Sequence, residues 1–312
     1  MAEKKARVAS VTVAFNPVPA RIADQVEALR GQVDDIVIVD NGSGSAIAGA
    51  LRSLESSGTP CVRVLSLDEN RGVASGFNEG VEAALQRGCD YVLLLDHDSQ
   101  PTPGMLPVLL AAHRSAAARG PVAAVGPRIR DSRDGHEFPF IRLGWTHNPR
   151  IRCQADAGTV ECDFLISSGT LISREALDRI GRFDASLFID YVDLDWCCKA
   201  RSMGYSLHGV CGARLDHQLG EEPRTVVGGL RVLVHAPERT YYMTRNRLLL
   251  YQRAHVPLKW KLKDAARAVL KLATTFVFAP PRREHWRMAS FAVRDGLRRR
   301  GGRLPNAGKL AD

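Results

Sequence analysis

Tyr91-Val92-Leu93-Leu94-Leu95-Asp96-His97-Asp98 decides how this 312-residue chain is to be read. Its first five residues are apolar or aromatic, the signature of a strand buried on both faces, as in a parallel sheet. Two carboxylates stand where the strand should end, and Ser99-Gln100-Pro101 breaks the pattern. In open α/β sheets, ligands sit beyond the carboxyl ends of the strands. An Asp-x-Asp at such an end can offer hard oxygen ligands to one divalent cation, which in turn can hold a diphosphate. The same residues also suit a strand cap with two solvated acids. On this stretch alone the two readings weigh equally.

Upstream the pattern repeats. Arg7-Val8-Ala9-Ser10-Val11-Thr12-Val13-Ala14-Phe15 reads as a first strand, ended by Asn16-Pro17. Ile22, Val26 and Leu29 mark one face of a helix closed by Gly31. Asp35-Ile36-Val37-Ile38-Val39-Asp40 is a second buried strand, followed by the turn Asn41-Gly42-Ser43-Gly44. A short helix over 46–56 and a strand over 62–65 lead to Asn70-Arg71-Gly72. The next helix carries Val73, Phe77, Val81 and Leu85 on one stripe. Strands alternating with helices predict a doubly wound, mainly parallel α/β sheet. Asn16, Asp40 with Asn41, and Asp96 with Asp98 then share one edge and converge on a crevice. Singly, Asp40-Asn41-Gly42 is an ordinary Asx turn, and the glycines from Gly72 to Gly80 serve close helix–sheet packing. Their coincidence at strand ends favours the crevice. No Gly-x-Gly-x-x-Gly follows the first strand and no phosphate loop occurs anywhere, so a dinucleotide fold of that kind is excluded. A bound diphosphate must be met by a metal or by basic side chains.

Downstream, a helix over 106–119 and a strand at Val122-Ala123-Ala124-Val125-Gly126 precede an irregular excursion over 131–160. The stretch 163–173 reads as a strand with a kink of small residues, where backbone can approach a ligand closely. Ser173 suits the N-cap of a helix containing Ala176, Leu177 and Ile180, closed by Gly181. Then Phe188-Ile189-Asp190-Tyr191-Val192-Asp193-Leu194-Asp195-Trp196 places three carboxylates within six residues. A helix over 194–203 puts Asp193 near its N-cap and Asp195 in its first turn, where the dipole favours both. That accounts for one or two of the acids. A carboxylate enclosed by Phe188, Tyr191 and Trp196 is also a reasonable general base, since desolvation raises its pKa. His217 is a lone histidine, a type more often packed or on the surface than liganding. Beside an Asp-x-Asp it becomes a third candidate ligand.

Composition limits the rest. Hydrophobic residues at 45% and charged residues at 25% are those of an ordinary globular protein. The net charge is +9, with eight arginines against two acids between positions 282 and 303. That suits an acidic neighbour such as anionic lipid or nucleic acid. Seven cysteines without a Cys-x-x-Cys pair argue against a disulfide framework. Positions 1–7 are charged and Val8 already opens a strand, so no secretory signal is read. The apolar run 265–279 is broken by Arg267 and Lys271, too short and too charged to span a bilayer. The expectation is a cytoplasmic protein, peripheral on the inner face of the cell membrane.

In order, these motifs resemble those of the family 2 glycosyltransferases, and within them the bacterial rhamnosyltransferases of cell-surface polysaccharide assembly. The resemblance spans about 8–220. It rests on Val13-Ala14-Phe15-Asn16, Val39-Asp40-Asn41-Gly42-Ser43, Asn70-Arg71-Gly72-Val73-Ala74-Ser75-Gly76-Phe77-Asn78, Leu95-Asp96-His97-Asp98-Ser99, Ser168-Gly169-Thr170, residues 188–205 and His217. Tyr241-Tyr242-Met243-Thr244-Arg245-Asn246 is a weaker echo. The resemblance implies a GT-A fold, an inverting mechanism, and a sugar-nucleotide donor with Mg2+ or Mn2+. It implies donor contacts at Asn16, Asp40, Asn41, Asn70, Gly72, Asn78 and Asp96, with Asp40 on the nucleobase. Metal contacts fall to Asp98 and His217, with Asp96 on metal, ribose or diphosphate. Acceptor-side contacts fall to Ser168, Gly169, Thr170, Tyr191 and Trp196. The family's base maps onto Asp193, with Asp190 as the alternative because Val192 replaces the usual preceding Glu. The implied donor is dTDP-rhamnose, with UDP-galactofuranose as another sugar nucleotide for the same frame. The implied acceptor is a saccharide or lipid-linked hydroxyl.

The expected organisation is a catalytic domain over 1–220, with a nucleotide-sugar half over 1–100 and an acceptor half over 101–220. A basic helical extension covers 221–312. In it Val269, Leu272, Phe276 and Val277 suggest an apolar face beside Lys261, Lys263, Arg267 and Lys271. It suits a membrane interface and equally a helix packed on the catalytic domain. The tail from 298 onward reads as mobile. A sugar nucleotidyltransferase would need a Gly- and Arg-rich loop after the first strand, where Asn16-Pro17 stands. A nucleic-acid-binding protein would spread basic and aromatic residues over the main domain, and here the charge gathers at the C-terminus.

Overall fold

The computed structural model describes residues 5–217, 224–225, 231–232, 236–278 and 280–305. The chain runs β1 (Val8–Ala14), α1 (Pro19–Leu29), β2 (Asp35–Asp40), α2 (Ser45–Arg52), β3 (Cys61–Ser66), α3 (Val73–Gln86), β4 (Tyr91–Asp96), β5 (Ser99–Pro101), α4 (Met105–Ala117) and β6 (Val122–Asp131). It continues through β7 (Phe140–Ile141), β8 (Arg150–Ile151), β9 (Thr159–Cys162), β10 (Leu171–Ser173), α5 (Arg174–Ile180), α6 (Val192–Ser202) and β11 (Ser206–His217). Two short strands, β12 (Arg224–Thr225) and β13 (Arg231–Val232), precede α7 (Pro237–Tyr251), α8 (Leu258–Phe278) and α9 (Arg282–Leu297).

The sheet order is β3-β2-β1-β4-β10-β6-β11-β5, with β9 on β11. β1 pairs in parallel with β2 and β4, and β2 with β3. β10 runs antiparallel between β4 and β6, and β11 is parallel to β6. The doubly wound, mainly parallel sheet is as expected. Chain order reverses beside β1, so the crevice lies at its carboxyl end, next to those of β2 and β4. The opening stretch fulfils its reading. Val92 and Leu94 enter one core cluster, Leu93 and Leu95 the other, and all four are fully buried. Truncating one such leucine to alanine costs about 2–5 kcal/mol. α3 lies tight on the sheet because Gly80 has no side chain: a Cβ there would come within 2.3 Å of Val11.

Several boundaries differ from expectation. Of the stretch 163–173 only Leu171–Ser173 is strand; the small residues before it form a loop laid over β4, with Gly169 N–H donating to Leu94 O at 2.8 Å. Ser173 caps α5 as expected, its Oγ accepting from Ala176 N–H at 3.2 Å. Ser206–His217 is one twelve-residue strand that carries His217 at its end. One disulfide, Cys153–Cys211 with Cα atoms 5.6 Å apart, is present where no disulfide framework was expected. Pairing of β9 along β11 draws the two together, and Cys61, Cys89, Cys162, Cys197 and Cys198 are free.

The boundary expected at 220/221 lies outside the described residues, as does the tail 306–312. Residues 298–305 are described; Leu304 N–H donates to the Tyr242 hydroxyl at 2.9 Å. Beyond the boundary, the C-terminal helices are built into the same core, since Leu249 and Leu250 of α7, Val256 after it and Trp260 of α8 share the cluster of β1 and β4. On α8 the expected apolar side is extended towards the helix start, and part of it is exposed. Leu258, Leu262, Val269 and Leu270 are exposed, the last two at 71% and 68%, whereas Phe276 stacks on Trp286 at 3.7 Å. The side chain of Val277 lies outside the described residues. Among these, no helix is long and apolar enough to cross a membrane.

Candidate active site

Asp96 closes β4 and Asp98 follows two residues on, in the turn that leads into β5. β5 pairs antiparallel with the end of β11, Ser99 opposite His217, and this register brings the histidine back to the acids. His217 Nδ1 lies 3.2 Å from Asp98 Oδ1, and Nε2 4.0 Å from Asp96 Oδ2. One donor atom from each falls within 4.8 Å of the others. Two carboxylates and an imidazole so converged fit a Mg2+ or Mn2+ ion. Burial would raise Asp98, but the hydrogen bond and charge of His217 hold its carboxyl below the usual range. Burial likewise opposes the imidazolium, and Asp98, Asp96 and Asp131 outweigh it, raising His217. Asp96 is raised, by burial first, against His217 and the hydroxyl of Ser168, which donates to its carboxylate.

On the β1–β2 side, Asp40 is buried and accepts from Ser43 N–H at 3.0 Å. Asn41 Oδ1 accepts from Arg71 N–H at 2.9 Å, and its amide donates to Asn70 Oδ1 at 3.2 Å. Asn70 Oδ1 also accepts from Gly72 N–H at 2.9 Å. Asn16 joins the same edge, with its N–H on Ser43 Oγ at 2.8 Å and its Oδ1 accepting from Gly44 N–H at 3.2 Å. Gly72, with φ 84°, is required where it stands: a Cβ would come 2.5 Å from Phe188 O. Asn78 is used differently. Both its amide atoms are bonded to the backbone of Phe183, at 2.8 and 3.0 Å, tethering α3 to the acid-bearing segment.

The three acids of 190–195 have three fates. Asp190 is held by Arg239 at 3.0 Å. Asp195 is buried between Arg253 and His255, each at 2.6 Å. Asp193, in the first turn of α6, has no ion pair with a cation among the described residues. Its Oδ1 accepts from Leu194 N–H at 2.8 Å, and Ser167 N–H also donates to it. Burial pushes this carboxyl up to about 7 against those two N–H groups, and Asp96 adds to the rise. A group poised there at neutral pH is suited to proton transfer.

The loop 164–170 joins the parts: Ser167 touches Asp193, Ser168 touches Asp96, and Thr170 O accepts from Leu94 N–H at 2.9 Å. Tyr191 lies against Trp260 and under Arg247. Trp196 corrects the acceptor-side expectation. It is buried, packs on Phe183, and donates its indole N–H to Gly181 O at 2.8 Å, so it belongs to the core. The helical spacing 192, 196, 200 was the signal for this.

Reading along the sequence also missed what holds the acid loop. Phe188, Asp190 and Tyr191 all have φ between 61° and 66°, a costly backbone for side chains of this size. Asn246, fully buried, donates to Leu187 O, Ile189 O and Asp190 O at 2.8, 2.7 and 3.0 Å. Arg245, also fully buried, donates to Ser186 O and Leu187 O at 3.1 and 3.0 Å. The Tyr241–Asn246 echo was the available signal.

A family model described as "Glycosyl transferase family 2" matches residues 10–181, more than half of the chain. The chain belongs to this family. It is a glycosyltransferase, and the nucleotidyltransferase and nucleic-acid alternatives fall away. Over 292 residues it is 26% identical to "dTDP-rhamnosyl transferase RfbF" of Shigella flexneri, covering 93% of this chain and 95% of that protein. It is 24% identical to "Galactofuranosyltransferase GlfT1" of Mycolicibacterium smegmatis, over 73% of this chain and 78% of that one. Among solved structures it resembles GalNAc-T7 with UDP, GalNAc and Mn2+, with a TM-score of 0.55 and 15% identity over 69% of this chain and 44% of that one. That likeness establishes the GT-A fold.

Proposed function

We propose an inverting transfer of rhamnose from dTDP-rhamnose to a hydroxyl of a lipid-linked saccharide in cell-surface polysaccharide assembly. The near end-to-end alignment with the Shigella protein supports this donor over galactofuranose. The observation that carries the chemistry is the convergence of Asp96, Asp98 and His217 at the carboxyl edge of the sheet, one short loop away from Asp193.

Asp193 removes the proton of the acceptor hydroxyl as its oxygen attacks the anomeric carbon from the face opposite the diphosphate. The new C–O bond forms as the bond to the diphosphate breaks, and the proton ends on the Asp193 carboxyl. Asp98, His217 and Asp96 would hold Mg2+ or Mn2+, which supplies Lewis-acid charge to the departing diphosphate. Asp40 and Asn41 receive the nucleoside side of the donor, with Asn16, Asn70 and Gly72 shaping the turn around it. Ser168, Gly169, Thr170 and Tyr191 border the acceptor. Asp190, neutralised by Arg239, orders the loop rather than taking a proton.

The exposed stripe of α8, with Lys259 and Arg267 beside it and Trp145 on a loop gripped by Lys263, suits an anionic bilayer surface. Such a surface is where a lipid-linked acceptor resides. Turnover of dTDP-rhamnose, UDP-galactofuranose and other sugar nucleotides, each with and without Mg2+ or Mn2+, tests the reading. dTDP-rhamnose should be used preferentially and only with the ion; indifference to the ion across the panel sinks the proposal. Binding to anionic but not zwitterionic vesicles, weakened by Leu262→Glu with Val269→Glu, tests the membrane face.

A further inference from the structure

We propose that the apolar cavity behind the loop 164–170 receives the hydrocarbon part of the acceptor, an alkyl or isoprenoid chain attached to the sugar that reacts. This rests on the transferase reading of Asp193 and specifies what its acceptor must carry. The cavity measures about 450 Å³. Its lining includes Phe138, Phe140 and Ile141 and, bridged to Ile141, Phe164 with Leu165 and Ile166. A space of this size, one residue from the reacting groups, is within the range of ligand sites.

Its position is the strongest argument. The loop 164–170 is a wall shared by the cavity and the catalytic edge. Phe164, Leu165 and Ile166 face the cavity, while the next residue, Ser167, donates to Asp193 and Ser168 donates to Asp96. A hydroxyl presented to Asp193 therefore lies beside the cavity.

The chemistry of the lining excludes a sugar as the occupant, because a sugar ring demands many hydrogen-bond partners. The Thr170 hydroxyl is already given to Ile166 O at 2.5 Å and the Ser168 hydroxyl to Asp96. The ionisable members of the lining, His136 and Arg150, belong to exposed residues. What remains is carbon surface, which favours a chain with nothing to hydrogen-bond.

The cavity is also joined to the membrane-facing part of the molecule. Lys263 of α8 donates to Gly144 O and Asn148 Oδ1, in the connection between β7 and β8. The hairpin that walls the cavity is thus fixed to the helix that exposes Leu258, Leu262, Val269 and Leu270.

The test is calorimetric titration of the full chain with methyl, butyl, hexyl and octyl β-D-glucopyranoside, each below its micelle concentration. Affinity should rise with chain length by up to about fourfold per methylene and level off once the space is filled. Ile141→Arg, which charges the lining, and Ile166→Trp, which fills the space, should each cut octyl glucoside affinity at least tenfold. Both should leave metal-dependent donor binding at the wild-type level, which certifies that they fold. Equal affinity for all four glucosides, or the same rise with chain length in both variants, overturns the proposal. A flat series with normal donor binding refutes the cavity assignment alone. Absent donor binding in the wild type refutes the transferase reading on which it rests.

Discussion

The two sides of the crevice are built by different means. On the β1–β2 side, the turn residues hold one another: Asp40 accepts from Ser43, Asn41 holds Arg71, and Asn70 holds Gly72. Each contact follows once the parallel strands are in register. On the acid side, almost nothing is local. Asp190 is held by Arg239, Asp195 by Arg253 and His255, and the carbonyls between them by Arg245 and Asn246. These partners come from α7 or just beyond it, about fifty residues further along the chain. The donor edge is therefore a product of the sheet, and the acid loop a product of tertiary packing by the C-terminal helices. A mutation in α7 should disturb acceptor chemistry while leaving the donor edge intact.

The largest break should come at Asp193. Asp193→Asn removes the proposed base and, on that proposal, nothing else the donor needs, so transfer should fall by about 10²–10⁴, the usual worth of a general base. Donor affinity should stay within a few-fold by titration, whereas a matching loss of donor binding would assign Asp193 to the donor side. With burial holding this carboxyl at about 7, kcat/KM should climb with pH towards that value and level off above it. Its effect on stability has the opposite sense. A carboxyl whose pKa is raised in the folded state favours the fold while protonated, and that contribution is lost as pH rises through about 7. Asp193→Asn should therefore melt above the wild type at pH 8, with the gap narrowing below about pH 7, by thermal unfolding across that range.

Next in size are Arg253→Ala and Asn246→Ala, which act on the fold and on the loop. Arg253→Ala leaves Asp195 in the core with only His255 beside it. Removing one partner of a buried pair costs about 3–5 kcal/mol, readable as a drop in the denaturation midpoint. Asn246→Ala removes one donor from each of three carbonyls of a loop in which Phe188, Asp190 and Tyr191 already have positive φ. We expect kcat to fall roughly tenfold as Asp193 loses its fixed position, with donor KM nearly unchanged. Equal damage to donor KM would mean that the two sides of the crevice are not separately built.

This division also explains how much the sequence disclosed. β4 was legible because an uninterrupted apolar run has few other uses, and the acids after it are placed by the strand's own end. His217 could be suspected as a partner of the Asp-x-Asp, but its delivery by the last residue of a twelve-residue strand could not. That depends on antiparallel pairing with three residues of β5. The choice between Asp190 and Asp193 stayed open because what distinguishes them is a guanidinium from α7. Trp196 was misread for the same reason: next to acids in the sequence, its ring points into the core against Phe183. Local pattern gives elements and their ends; it does not say which neighbour neutralises which charge.

The smallest expected effect tests the donor side of the comparison. Asn41→Ala removes an acceptor from Arg71 N–H and a donor from Asn70, two bonds within one turn network. A typical hydrogen bond contributes about 1 kcal/mol net, so stability should fall by roughly 1–2 kcal/mol. The consequence for catalysis should be confined to the ground state. A looser turn beside Asp40 weakens donor binding about as much before the transition state as in it, and such a loss raises KM while sparing kcat. A rise of a few-fold in donor KM at unchanged kcat is therefore the expected kinetic signature, with acceptor KM unmoved. Should kcat fall as far as it does in Asn246→Ala, the turn at β2 must communicate with the acid loop. The contact through which it could do so is Gly72 against Phe188, where the two sides touch.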